Sequence, residues 1–344
     1  MSRSILAIGL ISLVVGVAAC GDDEEEPAGG GGASTSTEEA KPAIEVGLVT
    51  DIGGLNDRGF NQLANQGLQR AKKELGIDVR VITSDQNSDY VPNLSTLAQQ
   101  KFDLIIGNGF LMGEAMDTVA KRFPDAKFAI IDFSQAAMKG KPANVQGLLF
   151  KENEAGYLVG YLAGLYGKDN DVGTVSSVGG QKVPAVDNFI AGYDAGAKAA
   201  DPDVKTLSGY SQDFVDQAKC KEMALDQIQR GSGVVFAVAG QCGLGAIDAA
   251  KERDVKAIGV DADQSYLGPQ VITSAVKRVE LAVFETAKAV QDGAFEAGTD
   301  RTFDVKTNGV GYGKLSSDVT KYEPDLKSVQ EKIASGELDV PSAG

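Results

Sequence analysis

From residue 44 onward, short apolar runs alternate with longer stretches whose apolar residues recur every three or four positions. Residues 44–49 read as a buried strand. Residues 57–75 read as a helix with Phe60, Leu63, Leu68, Ala71 and Leu75 on one face. The alternation continues with strands at 79–82, 103–106, 127–131 and 145–150, helices at 93–99 and 113–122, and a strongly apolar helix at 154–166. A second series has strands at 172–176, 204–207, 233–238, 256–260 and 271–275, with helices at 184–199, 214–230, 244–253 and 279–291; a last helix is expected at 323–334. Strands separated by helices form parallel sheets with both faces covered. Two such series predict an α/β chain of two Rossmann-like lobes.

The amino-terminal residues break this pattern. One positive charge, Arg3, precedes an apolar run at 5–19 that is short for a membrane span of about 20 residues. It suits the apolar region of a secretory signal peptide. The run ends in Val17-Ala18-Ala19-Cys20-Gly21, a small-residue stop with cysteine directly after it. This resembles the bacterial lipoprotein signal, which implies a signal peptide at 1–19, cleavage before Cys20 and a lipid on its thiol. An ordinary signal peptide with an incidental cysteine is the alternative. Residues 20–42 run through consecutive acids, a glycine tract and alternating serine and threonine. With little to bury, they are expected to form a disordered tether.

The 344 residues are 43% hydrophobic, a normal share for burying a core, and carry a formal charge of −15. There is no histidine, which excludes Ser-His-Asp and Cys-His catalysis and HExxH zinc sites. The acidic balance argues against recognition of a nucleic-acid backbone. Part of the charge belongs to the tether, yet the remaining domain is acidic in its own right.

In doubly wound folds, ligands sit beyond the carboxyl ends of the strands. Three strands end in an aspartate: Asp51, Asp132 and Asp261. Each has two readings: a helix N-cap, or an acceptor for a diol or amine. Phe60, Phe110 and Phe189 lie near other strand ends; they fit either the core or a pair of rings stacking on a planar ligand. Cations are scarce there, with only Arg58 and Lys277 nearby, and no phosphate-binding loop is present. A neutral polar ligand is therefore favoured, with no cofactor and no metal. With Cys20 assigned to the anchor, Cys220 and Cys242 remain, and a disulfide is expected in an oxidising compartment; two buried thiols are the alternative.

The segment Val49-Thr50-Asp51-Ile52-Gly53-Gly54-Leu55-Asn56-Asp57-Arg58-Gly59-Phe60-Asn61-Gln62 resembles the opening motif of the basic membrane protein family. These are the purine-nucleoside-receptor-type substrate-binding lipoproteins of ABC importers. The resemblance continues in Gly107-Asn108-Gly109-Phe110, in Ile130-Ile131-Asp132, in the apolar helix from Glu154 and in Phe189-Ile190-Ala191-Gly192-Tyr193. It is completed by Ala239-Gly240, by Ile258-Gly259-Val260-Asp261-Ala262-Asp263-Gln264 and by Thr273-Ser274-Ala275-Val276-Lys277. It departs from the family at Gly59, where a serine is usual, and in the Cys220/Cys242 pair.

The resemblance implies a type I periplasmic-binding-protein fold, with residues 43–151 and 275–298 in one lobe, 152–274 and 299–340 in the other, and a hinge between them. It implies that Phe60 and Phe189 stack on a nucleobase, and that Asp51, Asp132 and Asn61 address the base edge. Asp261 and Lys277 would hold the ribose hydroxyls, with Gly240 allowing close approach. The expected protein is an extracytoplasmic, lipid-anchored monomer that delivers a nucleoside, a purine one, to ABC permease subunits and performs no catalysis. A ligand-binding sensor and a carboxylate-dependent nucleoside hydrolase are the alternatives.

Overall fold

A computed structural model describes residues 43–343; the expected signal peptide, the lipid-anchor residue Cys20 and the tether lie outside them. The first half of the chain runs β1 (Glu45–Val49), α1 (Phe60–Leu75), β2 (Asp78–Ile82), α2 (Tyr90–Gln99), β3 (Leu104–Asn108), α3 (Gly113–Arg122), β4 (Lys127–Ile131) and β5 (Val145–Phe150). It continues through α4 (Glu152–Asp169), β6 (Thr174–Gly179), α5 (Pro184–Ala200), β7 (Lys205–Tyr210), α6 (Gln217–Gln229), β8 (Val234–Val238), α7 (Gly243–Glu252), β9 (Lys256–Asp261) and β10 (Val271–Lys277). It closes with α8 (Val279–Gln291), β11 (Asp300–Phe303), β12 (Val310–Tyr312) and α9 (Glu323–Ser335).

The strands form two six-stranded sheets, ordered β11-β5-β4-β3-β1-β2 and β12-β10-β9-β8-β6-β7. The first is parallel throughout; in the second only β12 runs antiparallel to its neighbour. The two orders are the same pattern used twice, so β4 and β9 occupy equivalent places. Central strands such as β3 and β8 are buried along their whole length, as parallel strands covered on both faces must be.

The pairing corrects the expected lobe boundaries. β10 stays paired with β9 as far as Val276 opposite Asp261, so the strand through Lys277 belongs to the second lobe rather than crossing at 275. β11 pairs with β5 from Asp300 opposite Gly147 to Phe303 opposite Phe150, so 300–303 belongs to the first lobe. The sequence concealed β11 because it has four residues at a sheet edge, and only Phe303 is buried. Three crossings result, after Phe150, Lys277 and Phe303. They are stitched side by side: Lys151 N–H donates to Phe303 O at 2.9 Å, Arg278 N–H to Gly309 O at 2.8 Å, and Val305 N–H to the Glu154 carboxylate at 2.8 Å.

The apolar helix α4 is buried around its circumference, and its glycines explain how. A Cβ at Gly156, Gly160 or Gly164 would collide with the carbonyl oxygens of Phe189, Tyr193 and Ala197 on α5, and Gly192 and Gly196 make the reciprocal approach. The two backbones touch at four-residue intervals, which fixes α5 and with it the ring of Phe189.

Candidate functional site

The carboxyl ends of both sheets face one cleft, which encloses about 700 Å³ of free space including its mouth. Asp51, Phe60, Asn61, Asp132, Phe189, Gly240, Asp261 and Lys277 all line it. None of the three strand-end aspartates caps a helix. Asp57 does that for α1: its carboxylate accepts from the backbone N–H groups of Gly59, Asn61 and Gln62 at 2.7 to 3.1 Å.

Asp51 follows β1. One carboxylate oxygen accepts from Ile52 N–H at 2.8 Å and from the hydroxyl of Tyr90, the first residue of α2. Burial pushes its carboxyl up to about 6, against these two bonds, which pull it down. The other oxygen lies against the Cα of Gly109, whose φ of 126° and missing side chain leave room for it.

Asn61 departs from its expected role. Its side-chain oxygen accepts from Asp51 N–H at 3.1 Å and from Asn108 Nδ2 at 2.9 Å. Its Nδ2 donates to Asp51 O at 3.3 Å and Ile52 O at 3.1 Å. The amide is saturated by the protein and has nothing left for a base edge. Asn61 instead clamps the strand end that presents Asp51.

Lys277 sits at the cleft floor with its side chain 2% exposed. Its ammonium donates to Asp132 at 2.6 Å and to Glu152 at 2.9 Å. Burial alone would lower its pKa, but the carboxylates of Asp132, Glu152 and Asp261 outweigh it and raise it. Burial likewise pushes Asp261 up to about 7, with Lys277 opposing. Asp132 and Asp261 both take the left-handed backbone conformation, at φ 68° and 62°, at equivalent strand ends of the two lobes. Such outliers cluster where a side chain must be aimed.

The lysine also lies 5.4 Å from the ring centroid of Phe60 and 6.0 Å from that of Phe189. Phe189 is braced edge-on by Phe236, at 6.1 Å between centroids. Phe110 and Phe214 add apolar wall. Gly240 has φ 55°, and its turn is tied to α6 by the Cys220–Cys242 disulfide, whose Cα atoms are 5.5 Å apart.

Glu152, Tyr90 and Phe214 were not singled out in the sequence. Glu152 carries no signal beyond being an acid at a helix start, where favourable alignment with the helix dipole explains it equally well. Tyr90 falls at the boundary of α2, where the apolar period has not yet begun.

Residues 44–343 match the family described as ABC transporter substrate-binding protein PnrA-like. The chain is 34% identical over 326 residues to the ABC transporter nucleoside-binding protein BmpA of Lactococcus lactis, covering 88% of this chain and 91% of that one. It is 34% identical over 327 residues to an uncharacterized lipoprotein of Pyrococcus abyssi, covering 92% of this chain and 77% of that one. Among solved structures, an ABC transporter solute-binding protein from Aeropyrum pernix superposes with a TM-score of 0.78 at 28% identity, covering 87% of this chain and 94% of that one. The chain belongs to the PnrA-like family of ABC transporter substrate-binding proteins, and it is a binding protein rather than an enzyme.

Proposed function

We propose that the cleft binds a nucleoside, a purine one, and that a lipid on Cys20 holds the protein as a monomer at the outer face of the membrane, where it hands the ligand to its permease. One observation carries the ligand reading. Among the described residues, no protein group donates to the second oxygen of Asp51, the second oxygen of Asp132 or either oxygen of Asp261. Two acceptors face the cleft from one lobe and one from the other, flanked by Phe60 and Phe189. A flat ligand with N–H donors at one end and a diol at the other matches that set. Asp51 and Asp132 take the base edge, Asp261 and Lys277 the ribose, and Gly240 admits the sugar closely. A phosphate does not match: four aspartates line the cleft against one lysine, which already serves two carboxylates. The nucleoside-binding relative supports the same reading.

Calorimetry against adenosine, guanosine and inosine tests it. Purine nucleosides should bind, their 5′-phosphates should bind at least a hundredfold more weakly, and Asp261→Ala should weaken the nucleoside at least tenfold. Binding of no nucleoside removes the ligand and leaves the receptor. Mass spectrometry of the mature amino terminus tests the anchor: an unmodified Cys20 would exclude it.

A further inference from the structure

One bond between the lobes involves none of the ligand-facing groups. Gln264, in the loop after β9, is 3% exposed. Its side-chain oxygen accepts from Val260 N–H at 3.2 Å, and its own backbone N–H donates to Ser274 Oγ at 3.0 Å. These bonds fix the side chain within the second lobe. A Cβ at Gly259 would come within 2.5 Å of that oxygen and 2.6 Å of Ser274 Oγ, so the glycine makes the seat. Gln264 Nε2 then donates to Arg58 O, in the loop before α1 of the first lobe, at 3.0 Å. Arg58 itself has φ 57°, a conformation uncommon for a residue with a side chain.

The receiving segment is a thin wall. Asp57, Phe60 and Asn61 face the ligand cleft, while Arg58 and Gln62 face a separate crevice bounded by Asp263, Tyr266 and Glu280. Asp261 lines both spaces. We propose that Gln264 is a positioning residue for ligand retention: it bolts the 57–62 wall to the second lobe, favours the closed form before ligand arrives and slows escape into the crevice. A bond made only in the closed form raises the fraction that is competent to hold ligand, and apparent affinity scales with that fraction. The inference rests on the cleft being a two-lobe clamp and uses a nucleoside only as a probe.

Gln264→Glu tests it. The variant keeps an acceptor for Val260 N–H but sets a carboxylate oxygen against the Arg58 carbonyl, two acceptors with no hydrogen between them. At pH 8, inosine should dissociate roughly three- to tenfold faster than from wild type, about the effect of one net hydrogen bond. Association should change less than twofold. Burial against the Arg58 carbonyl raises the introduced carboxyl above its ordinary value, so at pH 5 a larger share carries a proton and can donate, and the variant-to-wild-type ratio should fall toward one. The charged groups around this point, Asp57, Arg58, Asp261, Asp263, Tyr266 and Glu280, are common to both proteins, and Gln264→Leu, which adds no charge beside them, reports their own pH dependence without the new carboxylate. Gln264→Leu should release ligand fast at both pH values. A ratio of one at pH 8, or the same elevated ratio at both pH values for Gln264→Glu, overturns the proposal. If wild type binds no nucleoside, that counts against the ligand alone. The bolt is then judged by small-angle scattering of the ligand-free protein: a larger radius for Gln264→Glu at pH 8 supports it, and an unchanged radius overturns it.

Discussion

Lys277 Nζ lies 2.6 Å from the Oδ1 of Asp132, and the two residues belong to different lobes. The lysine ends β10 immediately before one crossing, and its second partner, Glu152, opens α4 immediately after another. One buried cation therefore ties the cleft floor to the hinge. Removing it leaves carboxylates buried without their counter-charge, a loss that typically costs about 3–5 kcal/mol. Lys277→Met should destabilise by that order in urea unfolding at pH 8. The penalty should shrink at pH 5, where Glu152, whose carboxyl burial already raises, can take a proton. An equal penalty at both pH values would show that lost packing, not charge, is responsible.

Stability and affinity should respond to pH in opposite directions. Asp51 and Asp261 are pushed up to about 6 and about 7, burial being the main cause in each. In the unfolded chain both titrate near 4. The folded state therefore binds the extra protons. The resulting stabilisation is present below about pH 4 and is lost as pH rises through 6 to 7. The ligand-free protein should be more stable at pH 5 than at pH 8, by an amount on the order of 2–4 kcal/mol. Asp213, which its Lys219 partner pulls down to about 2, works the other way only below this window. Ligand donors favour the ionised carboxylates, so binding should tighten from pH 5 to pH 8 and release protons. Calorimetry in buffers of different ionisation heat reads that release directly; proton uptake would contradict the assignment of these two acids as acceptors.

Asn61 offers a test that separates a clamp from a contact. Its four hydrogen bonds all go to protein groups at the end of β1 and to Asn108. Asn61→Ala strands buried backbone groups and Asn108, a loss of about 1–3 kcal/mol per unsatisfied group. The variant should lower the unfolding midpoint as well as the affinity. Weak binding with an unchanged midpoint would return Asn61 to the ligand.

The alternation of apolar runs with helical periods made the two-sheet architecture legible, because strands covered on both faces must be apolar along their length. The aspartates at strand ends were legible for the same reason: where a strand stops, a ligand can sit. The lobe boundaries were not, because β11 and β12 are short edge strands whose places are set by β5 and β10, not by their own pattern. Glu152 and Tyr90 were hidden because their partners, Lys277 and Asp51, are 125 and 39 residues away. The partners of Asn61 were hidden because residue type shows what a side chain can bond, and only the fold shows what it already bonds.

The disulfide bears on the cleft as well as on stability. Cys220 lies in α6, and Cys242 ends the turn that begins at Gly240 and presents Gln241 to the ligand space. That turn is otherwise tied by Cys242 N–H donating to Phe214 O at 3.0 Å, and Phe214 is itself cleft wall. Closing a separation of 22 residues contributes about 3 kcal/mol by the chain-entropy estimate. For a folded region of this size that is roughly 5 °C in melting temperature. The Cys220→Ala/Cys242→Ala variant should melt lower by that amount and bind more weakly, because Gly240 is held at φ 55° by fewer constraints. A reductant should reproduce both effects in wild type and change nothing in the variant. If thiol titration shows the bond broken while affinity stays constant, the turn is held by its backbone bond to Phe214, and the disulfide serves the fold alone.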